Sequence, residues 1–315
     1  MKRRYNSSMN ETIATTEDTK KYYYSEIFHS IQGEGQYTGV PTAWIRFFLC
    51  NLQCNGFGQL DPTNPDTYEL PFETFDLSKI DKVEDLPVWD KGCDSSYTWA
   101  KRYKHLMGQE TPKALAHKII DILKTESNPE GLFLHPVSQQ RQHFCVTGGE
   151  PMMPQSQKAF IGIMRELKAQ NNLPASITFE TNGTQNLTQE FINFWQQETE
   201  IELFFSVSPK LFSTSGELAK KAIRPEVVEQ YRKLSSKGQL KFVVGSLQRE
   251  WDDMEAAIAQ FREVDVDFPI WVMPVGAREE EQTATAGHVA KMAFQKGYNV
   301  AARVHVYLFG NAIGT

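Results

Sequence analysis

Between residues 43 and 308, short apolar runs alternate with stretches of helical periodicity, and this alternation restricts the chain more than any other feature. The apolar runs fall at 43–49, 142–146, 176–180, 202–207, 239–244, 269–273 and 302–308. Between most of them lie amphipathic segments: Ala114 to Leu123, Phe160 to Leu167, Phe191 to Trp195, Val227 to Leu234, Met254 to Phe261 and Val289 to Phe294. Strands separated by helices build right-handed βαβ units and a parallel sheet, either open or curled into a full or partial barrel. In each case the loops at the C-terminal ends of the strands gather on one side, where such folds place their active sites. The sequence shows no internal repeat.

A chain of 315 residues, 40% of them hydrophobic, buries a substantial core as one large domain or two small ones. Its formal charge of -6 provides no basic field for polyanions, so nucleic acid and anionic membrane are not expected partners, and a small substrate is. The N-terminus lacks the apolar core of a signal peptide and no run of 18 apolar residues follows, which predicts a cytoplasmic protein. Residues 1–21 read as a polar arm and 22–315 as the folded domain. Within it, 55–92 interrupts the alternation with four prolines and an excess of acidic residues, and reads as an insertion. Its segment Leu70-Pro71-Phe72-Glu73-Thr74-Phe75 is expected to pack locally.

Four cysteines are too few for a disulfide scaffold here, and clustered thiols in a reducing compartment are more often metal or redox ligands. Cys50 begins a loop directly after the run 43–49, Cys54 follows in the same loop, and Cys93 stands far downstream in Gly92-Cys93-Asp94-Ser95. Three thiolates hold three irons of a four-iron cluster and leave the fourth open to a chelating ligand. Two cysteines at this spacing equally suit zinc with partners elsewhere, or no metal at all. Cys145, inside an apolar run, reads as a small buried hydrophobe pointing into the sheet.

Further polar clusters follow the same logic. Gln32-Gly33-Glu34-Gly35 precedes the strand that carries Arg46. Glycines let the backbone approach a bound molecule, Gln and Glu read the edge of a heterocycle, and a guanidinium grips a carboxylate in bidentate fashion. A glycine-rich turn with a solvated glutamate fits the same residues. In Thr147-Gly148-Gly149-Glu150-Pro151 the paired glycines expose backbone groups and the carboxylate suits an ammonium or ribose hydroxyls; a strand-to-helix turn with Glu-Pro opening the next helix fits too. Glu180-Thr181-Asn182-Gly183-Thr184 and Ser208-Pro209-Lys210 end the next two runs. Singly these are caps, but in succession on one side of a parallel sheet they make a binding mouth.

In order, these clusters resemble the 7-carboxy-7-deazaguanine synthases of the radical S-adenosylmethionine superfamily over residues 22–315. Glu26-Ile27-Phe28, Tyr97-Thr98-Trp99, Leu240-Lys241-Phe242-Val243-Val244, Met273-Pro274 and the closing Arg303-Val304-His305-Val306-Tyr307-Leu308-Phe309-Gly310-Asn311 extend the likeness. Gly-Gly-Glu-Pro alone marks only the superfamily, whereas the Gln-Gly-Glu-Gly loop and the closing segment narrow it to this branch.

The resemblance implies an α/β fold, a modified, incomplete (β/α)6 barrel with a long insertion in its cluster loop. It implies a [4Fe-4S] cluster on Cys50, Cys54 and Cys93, and S-adenosylmethionine bound by Gly148, Gly149, Glu150, Glu180, Asn182, Ser208 and Lys210. Gln32, Glu34, Gly35 and Arg46 would hold 6-carboxy-5,6,7,8-tetrahydropterin, with His305 and the terminal carboxylate at Thr315 as further contacts. Mg2+ would bind Ser95, where the family has a threonine after Cys-Asp. The activity implied is a carbon–nitrogen lyase reaction, radical ring contraction of the pterin to 7-carboxy-7-deazaguanine with loss of ammonia, in queuosine and related 7-deazapurine biosynthesis. The partners implied are an electron donor such as flavodoxin or ferredoxin and a second copy in a homodimer.

The chain departs from the family spacing Cys-x3-Cys-x2-Cys, because Phe57 occupies the third position and the Cys-Asp-Ser signature reappears only at Cys93. We read this as an insertion between the second and third ligands. Two other readings are a radical enzyme acting on a different carboxylated substrate and a pterin-binding scaffold without radical chemistry.

Overall fold

The structure, a computed structural model, describes residues 19–315, so the polar arm expected over 1–21 lies outside the described residues up to position 18. One nine-stranded sheet organises the chain: β1 (Tyr22–Ile31), β2 (Pro41–Phe47), β3 (Gly108–Glu110), β4 (His143–Gly148), β5 (Ser176–Thr181), β6 (Glu202–Val207), β7 (Gly238–Val244), β8 (Ile270–Pro274) and β9 (Asn299–Val300). Their spatial order is β3-β1-β2-β4-β5-β6-β7-β8-β9. From β2 to β9 every pairing is parallel, as the alternation predicts, whereas β1 runs antiparallel to both β2 and β3 at one edge. The crossover helices Pro112–Leu123, Pro154–Ala169, Gln189–Gln197, Pro225–Leu234, Gln248–Glu263 and Glu279–Lys296 supply the outer layer. Local chemistry starts them where the sequence allows: Thr111 and Thr188 cap their helices by accepting from Ala114 N and Phe191 N.

Successive strand residues face opposite sides of the sheet, and this period decides what lies where. Ala43, Ile45 and Phe47 of β2, Phe144 and Val146 of β4, Ile177 and Phe179 of β5, and Leu240, Phe242 and Val244 of β7 pack under the helices in one continuous core. The residues between them face inward and are largely polar: Thr42, Arg46, His143, Thr147, Thr178, Glu180, Ser206, Gln239 and Lys241. The loop from Gln32 to Tyr37 fills that inward face. Gln32 Nε2 donates to Glu180 Oε1 at 3.2 Å, Gln36 N to Gln239 Oε1 at 3.2 Å, and the Tyr37 hydroxyl to Glu202. Gly35, at φ +69°, is required there, because a Cβ would stand 2.2 Å from the Gln239 side chain.

Three expectations need correction. The run 302–308 is not a strand; after the two-residue β9 the chain forms the helix Val304–Phe309, closed by Gly310 in the left-handed region. A short apolar run does not distinguish strand from helix, and here only Val306 is buried while Tyr307, Leu308 and Phe309 are exposed. The helix after the Gly-Gly-Glu-Pro turn begins at Pro154, not at Pro151. Cys145 is fully buried as expected, but its thiol lies on the inward face against Phe28 and Trp44, 3.9 Å from Gln32 Nε2.

Residues 55–92 contain only single-turn elements, at Pro65–Thr67, Pro71–Thr74 and Val83–Asp85. Phe72, Val83, Leu86 and Trp89 nonetheless form a small core with Tyr97 and Tyr103, and Leu70 and Phe75 pack against it, so the segment 70–75 does pack locally. The Tyr103 hydroxyl and Arg102 NH1 both donate to Phe72 O. Among the described residues no helix is long and apolar enough to cross a membrane.

Candidate active site

One pocket opens at the C-terminal ends of the strands. It gathers every residue that the resemblance assigns to cluster, cofactor, substrate or Mg2+, except Gly35 and Glu150. Gly35 stands beneath, shaping the inner loop. Glu150 is fully buried and accepts from Met152 N at 2.9 Å, Thr181 Oγ1 at 2.6 Å and Asn182 N at 2.7 Å, so its carboxylate ties two strand-end loops together rather than facing the pocket. Burial pushes that carboxyl up to about 7 against those three hydrogen bonds.

Cys50, Cys54 and Cys93 line one wall as free thiols, packed with Leu52, Phe57 and Ala222. Glu217 fixes the first loop by accepting from Gln53 N at 2.6 Å and Cys54 N at 2.9 Å. Gly149 lies against that loop, since a Cβ there would stand 2.9 Å from Cys50 Cβ. Asn182 Nδ2 approaches Cys50 Sγ at 3.8 Å, and Lys210 Nζ donates to Ser208 Oγ at 3.0 Å and sits over the Phe57 ring. Burial pushes Cys50 up to about 12 and raises Cys54 and Cys93 as well, and a bound cation acts in the opposite direction.

No three His, Cys, Asp or Glu among the described residues surround a single metal ion. A four-iron cluster asks for something else, namely one thiolate for each of three separate irons. Three thiols spread over one pocket wall, beside paired glycines that bring the backbone close, suit that group.

The pocket lining also carries charge. Arg46 Nε donates to Glu26 Oε1 at 2.6 Å, the Tyr97 hydroxyl donates to the same oxygen at 2.7 Å, and the two terminal nitrogens of Arg46 have no hydrogen-bond partner among the described residues. Glu34 is paired with Lys241 through one oxygen and with Arg303 Nε through the other, at 3.0 Å. Burial would raise the Glu34 carboxyl, but Lys241 and Arg303 outweigh it and hold it well below the usual carboxylate range. His305, beside the same group, is pulled down to about 4 by burial and is a neutral imidazole. Ser95 Oγ donates to Asp94 Oδ1 at 2.9 Å.

Sequence reasoning missed Lys241, Arg303 and Asp94 as site residues. The signal for Lys241 was present: a lysine between apolar neighbours in Leu240-Lys241-Phe242 is a buried cation, which requires an anionic partner.

No protein-family profile matches the chain. Among curated proteins it is 24% identical to the 7-carboxy-7-deazaguanine synthase of Rhodopirellula baltica, over 92% of this chain and 88% of that one. It is 26% identical to the one of Pyrobaculum aerophilum over 92% and 95%, and 25% identical to the one of Halobacterium salinarum over 91% and 90%. The crystal structure of QueE from Escherichia coli superposes with a TM-score of 0.50 at 18% identity, covering 90% of this chain and 95% of that one. These relatives support an enzyme of the radical S-adenosylmethionine class. Over nearly its whole length the chain is similar to 7-carboxy-7-deazaguanine synthases.

Proposed function

We propose that the chain converts 6-carboxy-5,6,7,8-tetrahydropterin to 7-carboxy-7-deazaguanine with loss of ammonia, in 7-deazapurine biosynthesis. The observation that carries this reading is that one pocket is lined by three thiols together with Glu34, Arg46 and His305. Cys50, Cys54 and Cys93 would hold a [4Fe-4S] cluster, and we read 55–92 as an insertion between the second and third of them. When bound, the cluster and S-adenosylmethionine supply one electron and a hydrogen-abstracting carbon radical, chemistry no side chain provides.

The chain's own residues bind and orient. Gly148 and Gly149 leave room for the amino-acid end of the cofactor, and Glu180, Asn182, Ser208 and Lys210 present polar groups beside it. Arg46 offers its two unpartnered nitrogens to the substrate carboxylate, a geometry that a planar fork satisfies and an ammonium does not. Glu34, held ionised, accepts N–H groups from the pyrimidinone edge, since each of its oxygens keeps a lone pair beyond its ion pair. Gln32 is fixed by donating to Glu180 and accepting from Glu34 N at 3.0 Å. Ser95, with its hydroxyl beside Asp94, is the proposed Mg2+ contact, and Thr315 lines the same rim. Holding C6 of the pterin near the reacting carbon and excluding water are the protein's contribution to rate. A flavodoxin or ferredoxin as electron donor and a homodimeric state belong to the same proposal.

The test is anaerobic reconstitution with iron and sulfide, then incubation with reductant, S-adenosylmethionine, Mg2+ and the carboxytetrahydropterin, with products read by mass spectrometry. Formation of 7-carboxy-7-deazaguanine supports the reading. Cofactor cleavage without that product points to another substrate.

A further inference from the structure

Arg303 joins four segments of the pocket rim through one side chain. Its Nε donates to Glu34 Oε1 at 3.0 Å, one terminal nitrogen to Gly276 O at 3.1 Å, and the other to Asp94 Oδ2 at 3.0 Å and Asn311 Oδ1 at 3.3 Å. Glu34 belongs to the loop between β1 and β2, Asp94 directly follows Cys93, Gly276 lies after β8, and Asn311 follows the last helix. Backbone contacts reinforce the join. Val304 N donates to Gly33 O at 2.9 Å, and Gly33 carries no side chain where a Cβ would stand 1.9 Å from His305 Nδ1.

Glu34 and Asp94 reside on separate loops and carry like charge. The Arg303 guanidinium spans them, 3.0 Å from Glu34 Oε1 and 3.0 Å from Asp94 Oδ2. A cation shared by two partly buried carboxylates holds both in place, and its loss takes from Asp94 its ion pair and from Glu34 one of two. Lysine keeps the charge but not the planar fork, so it cannot satisfy the same acceptors. Lys241 also neutralises Glu34, yet no bond links it to Asp94 among the described residues.

We infer that Arg303 is a positioning residue that couples the Glu34 loop to the Cys93 loop, so that a disturbance at either one loosens the other. The inference rests on the functional reading above, in which Glu34 faces the pterin and Cys93 faces iron. Its consequence is reciprocal: filling the pterin pocket steadies the third thiol, and a loaded thiol wall tightens the pterin pocket by the same factor.

The experiment uses the full chain, reduced and free of cluster, and reads two quantities by peptide-level mass spectrometry: the rate of iodoacetamide alkylation at each cysteine, and hydrogen exchange of the amides of 33–36. Arg303→Lys is expected to speed alkylation of Cys93 at least threefold and to raise exchange at 33–36. Glu34→Gln, on the other loop, is expected to speed Cys93 as well, and Asp94→Asn to raise exchange at 33–36, with Cys145 unchanged in all three. A general loosening of the fold would move Cys145 too, and overturns the inference. So does a wild-type alkylation rate at Cys93 in Glu34→Gln, or unchanged exchange at 33–36 in Asp94→Asn. Should Arg303→Lys fail to fold, the other two variants carry the test. None of these readouts needs cluster, cofactor or substrate, so loss of coupling in an active enzyme sinks this inference alone, and absence of product from the wild type sinks the functional reading alone.

Discussion

Gly92 N donates to Phe57 O at 2.7 Å. The chain that leaves the Cys50–Cys54 loop at Phe57 therefore returns to the same place at Gly92, and the next residue is Cys93. The excursion between them begins and ends at one point, which is how a cysteine so distant in sequence reaches the wall formed by the first two. Gly58 makes this closure possible: it sits at φ +67°, where a Cβ would stand 2.1 Å from Asp90 O. Alanine at 58 meets both the left-handed penalty of about 1–2 kcal/mol and a backbone clash. Gly58→Ala is expected to lower the iron bound per chain after reconstitution while leaving far-UV circular dichroism unchanged. Wild-type iron content in that variant would show that the closure does not govern Cys93.

The excursion's own core gives a second expectation. Phe72 is 1% exposed, and large-to-small changes at such positions cost about 3–5 kcal/mol. Because this core is separate from the main one, Phe72→Ala should open residues 70–92 to limited proteolysis and hydrogen exchange, with strands β4 to β7 still protected. Equal deprotection of those strands would mean that the two cores unfold as one.

Arg46 distinguishes a substrate contact from a structural ion pair. Lysine at 46 keeps a cation beside Glu26 but gives up the fork, and charged hydrogen bonds contribute about 1.5–3 kcal/mol. Arg46→Lys should raise the KM for the pterin about 10-fold or more, with the affinity for S-adenosylmethionine unchanged. An unaltered pterin KM would assign Arg46 to the Glu26 pair alone.

His143, far from the pocket mouth, sets a pH dependence of stability. Its ring lies between Ser176 Oγ and Thr178 Oγ1, each at 2.7 Å, and burial lowers its pKa to about 4. The unfolded chain binds a proton at this histidine near pH 6.5 and the folded one only near 4, so stability falls as pH drops through that interval. At about 1.4 kcal/mol per pKa unit the loss is on the order of 3 kcal/mol by pH 4. Denaturant titrations from pH 7 to 4 should show this decline in the wild type and a shallower one in His143→Gln. Equal slopes would place the acid sensitivity elsewhere.

The alternation of apolar runs and helical segments made the parallel sheet legible, and strand-end polar residues made the pocket legible, because both follow from local periodicity. What stayed hidden depends on partners remote in sequence. Lys241 and His143 look like interruptions in apolar runs until the inward face of the sheet is known. Arg303 falls within the run 302–308, where five apolar or aromatic neighbours suggested a strand, and only the turn after β9 aims it at Glu34 and Asp94. Glu150 shows the opposite failure: its motif is legible, but the three hydrogen bonds that turn its carboxylate away from the pocket come from Thr181, Asn182 and Met152.

The central claim is that Cys50, Cys54 and Cys93 arm this pocket for ring contraction of a carboxylated pterin. The most direct measurement compares wild type, Cys93→Ala and Cys145→Ala after anaerobic reconstitution, reading iron content, 5′-deoxyadenosine and 7-carboxy-7-deazaguanine in the same reaction. The account predicts all three from wild type and from Cys145→Ala, and neither organic product from Cys93→Ala. Product formation by Cys93→Ala, or loss of it in Cys145→Ala with the fold intact, would contradict the account.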